Sequence, residues 1–147
     1  MARSREIARL LIRSVAIALT GVFLGVFYNA ISGKGIPLWP QISLQEAKSA
    51  FDEGAIFLDA RSEEAYIMGH IRGAVNLPYG DFDRVYPQIS PLLSKDALLI
   101  TYCDGRDCQA SIVLTNRLST MGYGNVKVFF GGWQAWRVVG YPLSQGE

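Results

Sequence analysis

Cysteine and histidine are scarce here: two cysteines and one histidine in 147 residues. Two cysteines cannot make a disulfide scaffold. With one histidine they cannot supply an ordinary four-ligand zinc site without carboxylates, so no metal is expected. An excess of one charge is lacking too. Fourteen Lys and Arg face thirteen Asp and Glu, a formal +1, so no basic field points to nucleic acid. No G-x-G-x-x-G, P-loop, internal repeat or low-complexity segment occurs, and no cofactor is expected. Apolar residues are abundant instead, at 50% against 18% charged, which excludes disorder as the dominant state.

The apolar excess is concentrated. Ser14 to Gly33 carries no charged side chain. As a helix it would reach about 30 Å, the thickness of a bilayer core. Arg3, Arg5, Arg9 and Arg13 precede it, opposed only by Glu6, and Lys34 follows. The positive-inside rule then leaves the N-terminus in the cytoplasm and the rest of the chain across the membrane, periplasmic in a Gram-negative bacterium. Ala30-Ile31-Ser32 also reads as a passable cleavage site, so a removed signal peptide is the alternative. Gly21 and Gly25 form a G-x-x-x-G spacing that would let two helices approach and weakly dimerise.

The expected organisation is a basic arm (1–13), a transmembrane helix (14–33), a linker (34–40) and a folded domain (41–147). From Gly35 onward nine Lys and Arg stand against twelve Asp and Glu, so the domain itself is mildly acidic.

In the domain, strands and helices alternate. Ser43-Leu44-Gln45-Glu46 has the capping-box form, with Leu44, Ala47 and Phe51 on one helical face. Ala55 to Leu58, Ala74 to Leu77, Ala97 to Tyr102 and Asn125 to Phe130 read as short buried strands. Helices are expected from Ser62, across about Asp81 to Leu93 with interruptions at Pro87 and Pro91, and from Cys108 to Met121 with Gly122 as the stop. Gly131-Gly132 turns the chain into a short helix with Trp133 and Trp136. Apolar strands alternating with helices predict an α/β fold with a parallel sheet flanked by helices. Ligands bind at the carboxyl ends of such strands, and the end of the strand through Tyr102 is one of them.

Cys103 leaves that strand, followed by Asp104-Gly105-Arg106-Asp107-Cys108. Loop N–H groups and the next helix N-terminus favour a thiolate, the nucleophilic form. Gly105 is expected to supply unusual backbone angles. Cys108 has two open arrangements. It pairs with Cys103 if the Cα atoms come within about 7 Å, or it turns into the helix packing.

Three blocks carry a resemblance. The first is Asp59-Ala60-Arg61, Tyr66 and Gly69-His70-Ile71-Arg72-Gly73-Ala74-Val75-Asn76-Leu77-Pro78. The second is Cys103 at its strand end. The third is Gly131-Gly132-Trp133-Gln134-Ala135-Trp136 with Gly140-Tyr141-Pro142. From Ile42 to Leu143 the chain resembles the rhodanese family of sulfurtransferases. The resemblance implies a persulfide on Cys103, cradled by the amides of Asp104 to Cys108, a small sulfur donor, and a thiol or other nucleophilic acceptor. Asp59 and Arg61, at the end of the second strand, have two open readings, a supporting ion pair near the site or Asp59 as a cap of the next turn; the resemblance favours a structural role for them and a backbone hydrogen bond for His70. A six-residue loop from Cys103 to Cys108 is the length the family uses for sulfur.

Two departures matter. Cys108 stands where many members carry a cation, and Asp104 and Asp107 flank the single Arg106, so thiosulfate is not the expected donor. Two alternatives stay open: a thiol–disulfide protein using Cys103 and Cys108, and a non-catalytic binding module.

Overall fold

The computed structural model describes residues 2–31 and 40–146. They form two units, which divide between residues 38 and 39.

The first unit is one helix, α1 (Ala2–Ile31). It takes in most of the expected arm as well as the apolar run. Its most apolar stretch, Arg9–Tyr28, has a mean hydropathy of 2.2, and none of it is buried. That is long and apolar enough to cross a membrane. Gly21 and Gly25 have open space around them. The end of the expected span at 32–33 and the linker up to residue 39 lie outside the described residues.

The second unit begins with β1 (Gln41–Ile42) and α2 (Leu44–Asp52). Then come β2 (Ile56–Asp59), α3 (Glu63–Met68), β3 (His70–Ile71) and β4 (Val75–Asn76). A 3-10 turn leads into α4 (Phe82–Ile89), which accommodates Pro87, and Pro91 lies in a second 3-10 turn. The chain ends with β5 (Leu99–Tyr102), α5 (Ala110–Thr120), β6 (Val126–Phe129), α6 (Gly132–Val138) and β7 (Leu143–Ser144).

The two expected side-chain caps, at Ser43 and Ser62, are built as the residue types dictate. Ser43 and Glu46 close a reciprocal capping box on α2, and the Ser62 hydroxyl accepts from the Ala65 N–H on α3. Gly122 ends the helical run at φ +89°, as a C-terminal glycine should.

Five strands form one parallel sheet in the order β1-β6-β5-β2-β4. β5 is central, so its carboxyl end is flanked on both sides. Alternation along the strands sorts side chains to two faces. Leu58, Leu99 and Val126 pack with Phe82 of α4 and with Leu114 and Leu118 of α5. Phe57, Ile100 and Phe129 pack with Ala47 and Ala50 of α2 and with Trp136 of α6. This is the α/β architecture that the alternating pattern predicts.

β3 and β7 form a separate antiparallel pair, not anticipated from the sequence. It ties the chain's end back beside α3.

Candidate active site

The sheet places Cys103 one residue past the central strand, with 4% of its surface exposed. Its carbonyl accepts the Trp133 N–H at 2.8 Å, and the Asp104 carbonyl accepts the Gln134 N–H at 3.0 Å. The first turn of α6 therefore holds the start of the loop. Gly132, at φ +56°, permits this: a Cβ there would lie 2.3 Å from the Cys103 carbonyl oxygen. At Gly131 a Cβ would lie 2.6 Å from the Phe129 ring. Gly132 thus seats the loop against α6, and Gly131 leaves room for the Phe129 ring.

Cys103 and Cys108 are joined by a disulfide, with Cα atoms 6.1 Å apart. Two expectations are corrected here. Helix α5 begins at Ala110, not Cys108, with Gln109 at its N-cap. Cys108 consequently belongs to the loop, and its side chain turns to Cys103 instead of into helix packing. Gly105 does not adopt a positive φ, so its freedom is not what shapes the loop. The turn is held by the Cys108 N–H, which donates to the Gly105 carbonyl at 3.1 Å. The N–H groups of Asp104, Gly105, Arg106 and Asp107 have no backbone acceptor among the described residues. Four such donors in a row are the raw material of an anion cradle.

A shallow cavity of about 240 Å³ opens on this loop, lined by Asp104, Gly105, Arg106, Asp107, Cys108 and Gln134. Two carboxylates against one guanidinium leave its wall mildly acidic. Asp104 accepts the Gln134 amide at 3.0 Å and faces Arg61 at 3.9 Å.

Asp59 and Arg61, at the end of β2, form a buried ion pair beneath the loop, 0% and 7% exposed. The Asp59 carboxylate accepts the Arg61 backbone N–H at 2.9 Å and the guanidinium at 2.6–3.1 Å. The guanidinium also donates to the Gly69 carbonyl at 2.7 Å and stacks 4.9 Å from the Trp133 ring. Burial alone would make Arg61 easier to deprotonate. The hydrogen bonds and charge of Asp59 outweigh that and hold it above its ordinary pKa. Tyr102 is pushed well above its ordinary value by burial and by the Asp59 charge, so it stays a neutral phenol. Its oxygen accepts the Ile71 N–H at 3.2 Å.

The profile of the rhodanese-like domain matches residues 43–138. The chain belongs to the rhodanese-like domain family. It is 31% identical over 110 residues to Protein HIGH ARSENIC CONTENT 1, mitochondrial, of Arabidopsis thaliana, covering 68% of this chain and 63% of that protein. The match thus spans less than two thirds of that relative. It is 31% identical over 112 residues to Thiosulfate sulfurtransferase GlpE of Pseudomonas entomophila, covering 73% of this chain and 94% of GlpE. Among solved structures it is similar to the BH2092 protein of Bacillus halodurans, with TM-score 0.64 and 25% identity over 74% of this chain and 78% of that one. The Alr3790 protein of Anabaena sp. gives TM-score 0.61 and 28% identity over 71% and 80%. The family is thus one with sulfurtransferase members.

In this rhodanese-like domain the loop residues Cys103 to Cys108 come together at one strand end, and Asp59 and Arg61 lie under it. His70 sits apart, its Nδ1 3.0 Å from the Tyr66 carbonyl oxygen and its ring stacked on Tyr66. Among the described residues no group of three metal-ligating side chains occurs. Sequence reasoning missed Gln134, which holds Asp104 from another element. Only its place after the Gly-Gly pair could have signalled it.

Proposed function

We propose that this rhodanese-like domain is a sulfurtransferase that carries sulfane sulfur as a persulfide on Cys103. The single observation behind this reading is the position of Cys103: one residue past the central strand, in a loop with four consecutive amides that have no backbone acceptor among the described residues. With the disulfide open, the Cys103 thiolate attacks the sulfane sulfur of a donor. A new S–S bond forms, and the donor's other half leaves with the electron pair. The terminal sulfur of the persulfide is anionic, and the amides of Asp104 to Asp107 stabilise it. An acceptor thiolate or other nucleophile then takes that sulfur and returns Cys103 as thiolate.

The cavity wall argues for a donor with little negative charge. Asp104 and Asp107 outnumber Arg106, so a dianion such as thiosulfate is poorly received. Helix α1 anchors the domain in a membrane, with the arginine-rich end cytoplasmic and the domain on the far side. A C-terminal reporter fusion, active only on one side of the membrane, tests that orientation.

The carrier reading is tested on the reduced full-length Cys108→Ser chain in detergent, where the persulfide has no neighbouring thiol, offered a sulfane donor and weighed intact. Gain of one sulfur atom that maps to Cys103, and its absence in Cys103→Ser, is the expected result. A chain that gains no sulfur from any donor sinks it.

A further inference from the structure

We propose that Cys108 resolves the Cys103 persulfide, so that the donor's sulfur leaves as hydrogen sulfide and an external dithiol resets the pair through Cys108. This rests on the reading of Cys103 as the sulfur acceptor. It adds a second activity, reduction of sulfane sulfur to sulfide, which needs no external acceptor at the transfer step.

The geometry carries it. Cys108 lies in the loop, not in α5, and its Cα is 6.1 Å from that of Cys103, inside the reach of a disulfide. The bonded pair is the product of such a step. The Cys108 thiol passes its proton to the anionic terminal sulfur, and the thiolate so formed attacks the inner sulfur of Cys103–S–SH. The bond from that sulfur to the terminal one breaks, and the terminal sulfur departs as HS⁻. The Cys103–Cys108 bond forms, and the proton lost by Cys108 ends on the sulfide. The sulfane sulfur is reduced to sulfide by the two electrons that the Cys103 and Cys108 sulfurs give up in forming the disulfide. Because both partners sit on one short loop, the attack is intramolecular and outpaces a dilute external thiol.

Exposure assigns the direction of the reset. Cys103 is 4% exposed, whereas Cys108 lines the open cavity of about 240 Å³ and Cys103 does not. A thiolate from solvent therefore meets Cys108. It forms a mixed disulfide there and expels Cys103 as the thiolate, among the free loop amides. The second thiol of the dithiol then releases Cys108, closing the oxidised dithiol's own disulfide. Cys103 emerges ready for another donor.

The test uses the full chain in detergent, reduced and then freed of reductant, with benzenethiosulfonate as donor. Its leaving group is benzenesulfinate, so any sulfide comes from the resolving step. Wild type is expected to release one equivalent of sulfide and to lose two hydrogens in mass. Cys108→Ser is expected to keep one added sulfur on Cys103 and to release sulfide at least about tenfold more slowly. A wild-type chain that accumulates a stable persulfide without sulfide overturns the resolving step and leaves the carrier reading intact. Loss of two hydrogens without sulfide also overturns it. If Cys108→Ser takes up no sulfur, the carrier reading fails and this step with it. In a second arm the oxidised chain is treated with cysteamine and quenched in acid. The mixed disulfide is expected on Cys108, and an adduct on Cys103 overturns the direction of reset.

Discussion

Gly132 sits against the backbone of Cys103 so closely that a Cβ would lie 2.3 Å from the Cys103 carbonyl oxygen. The nearest obstacle is main chain, which cannot swing aside, and φ at Gly132 is +56°. Gly132→Ala should therefore cost about 1–2 kcal/mol from the left-handed backbone alone, with the collision added. The denaturation midpoint of the domain should fall, and sulfur uptake by Cys103 should fall with it because the loop loses its seat. Gly105→Ala is the control. Its φ is not positive, and its nearest neighbour is the Gln134 side chain at 3.5 Å, so stability should stay within about 0.5 kcal/mol of wild type. Equal losses in the two variants would remove the close approach as the cause.

The buried pair of Asp59 and Arg61 gives the second prediction. Asp59→Ala leaves a guanidinium 7% exposed without its carboxylate partner, answered by the Gly69 carbonyl, the Trp133 ring and the distant Asp104. Breaking a buried pair in this way typically costs about 3–5 kcal/mol. Replacing both, as Asp59→Ala with Arg61→Met, should cost less than the sum of the single changes. A double-mutant cycle by urea denaturation reads the coupling, which should exceed about 1 kcal/mol. Additive losses would mean that the two side chains act separately.

Which parts of this were readable from the sequence follows from the range of the forces involved. The capping box of Ser43 and Glu46, the Ser62 cap and the stop at Gly122 are local, and all three stand where the residue types put them. The apolar runs at Phe57-Leu58 and Leu99-Ile100 show their two-faced burial directly. The β3–β7 pair was hidden, because two-residue strands such as His70–Ile71 carry no period. The start of α5 was misplaced because Asp107 to Gln109 reads as a plausible first turn, while the bond to Cys103 holds Cys108 outside it. Thr101, Ser111 and Thr115 looked polar and proved buried. The Thr101 hydroxyl lies 2.6 Å from that of Thr115 and donates to the Ser111 carbonyl at 3.1 Å. Contacts of Gln134 with Asp104, and of Gly132 with Cys103, join segments roughly thirty residues apart. Only the folded chain displays them.

Glu46 supplies a dependence on pH. The Ser43 N–H donates to its carboxylate at 2.7 Å, and this bond, with the Ser43 hydroxyl, holds Glu46 below the ordinary carboxylate range. A folded pKa below the unfolded one means stability that is present above the unfolded value and lost as pH falls through the folded one. The stability gap between wild type and Glu46→Ala should therefore be constant above about pH 5.5 and narrow below about pH 4. Thermal melts across that range check it, and a gap that widens toward acid would contradict the sign.

The acidic wall of the cavity makes donor preference a matter of charge. Asp107 is exposed and lines the cavity beside Cys108, and Arg106 is the one cation on the same wall. Removing one negative charge several ångströms from an incoming dianion is worth about 1 kcal/mol where water screens the pair, as on this open wall. Asp107→Asn should thus raise kcat/KM for thiosulfate by roughly fivefold at low ionic strength. For the monoanion benzenethiosulfonate the gain should be about the square root of that, because the same potential acts on half the charge. Arg106→Ala should move both donors the opposite way. The contrast should shrink as salt rises from about 10 to 150 mM, where the screening length drops from about 30 to 8 Å. Sulfur-uptake rates for the two donors at both salt concentrations decide the matter. A gain that is equal for both donors and insensitive to salt would mean that Asp107 acts on the shape of the loop, since a change of shape has no reason to distinguish one negative charge from two.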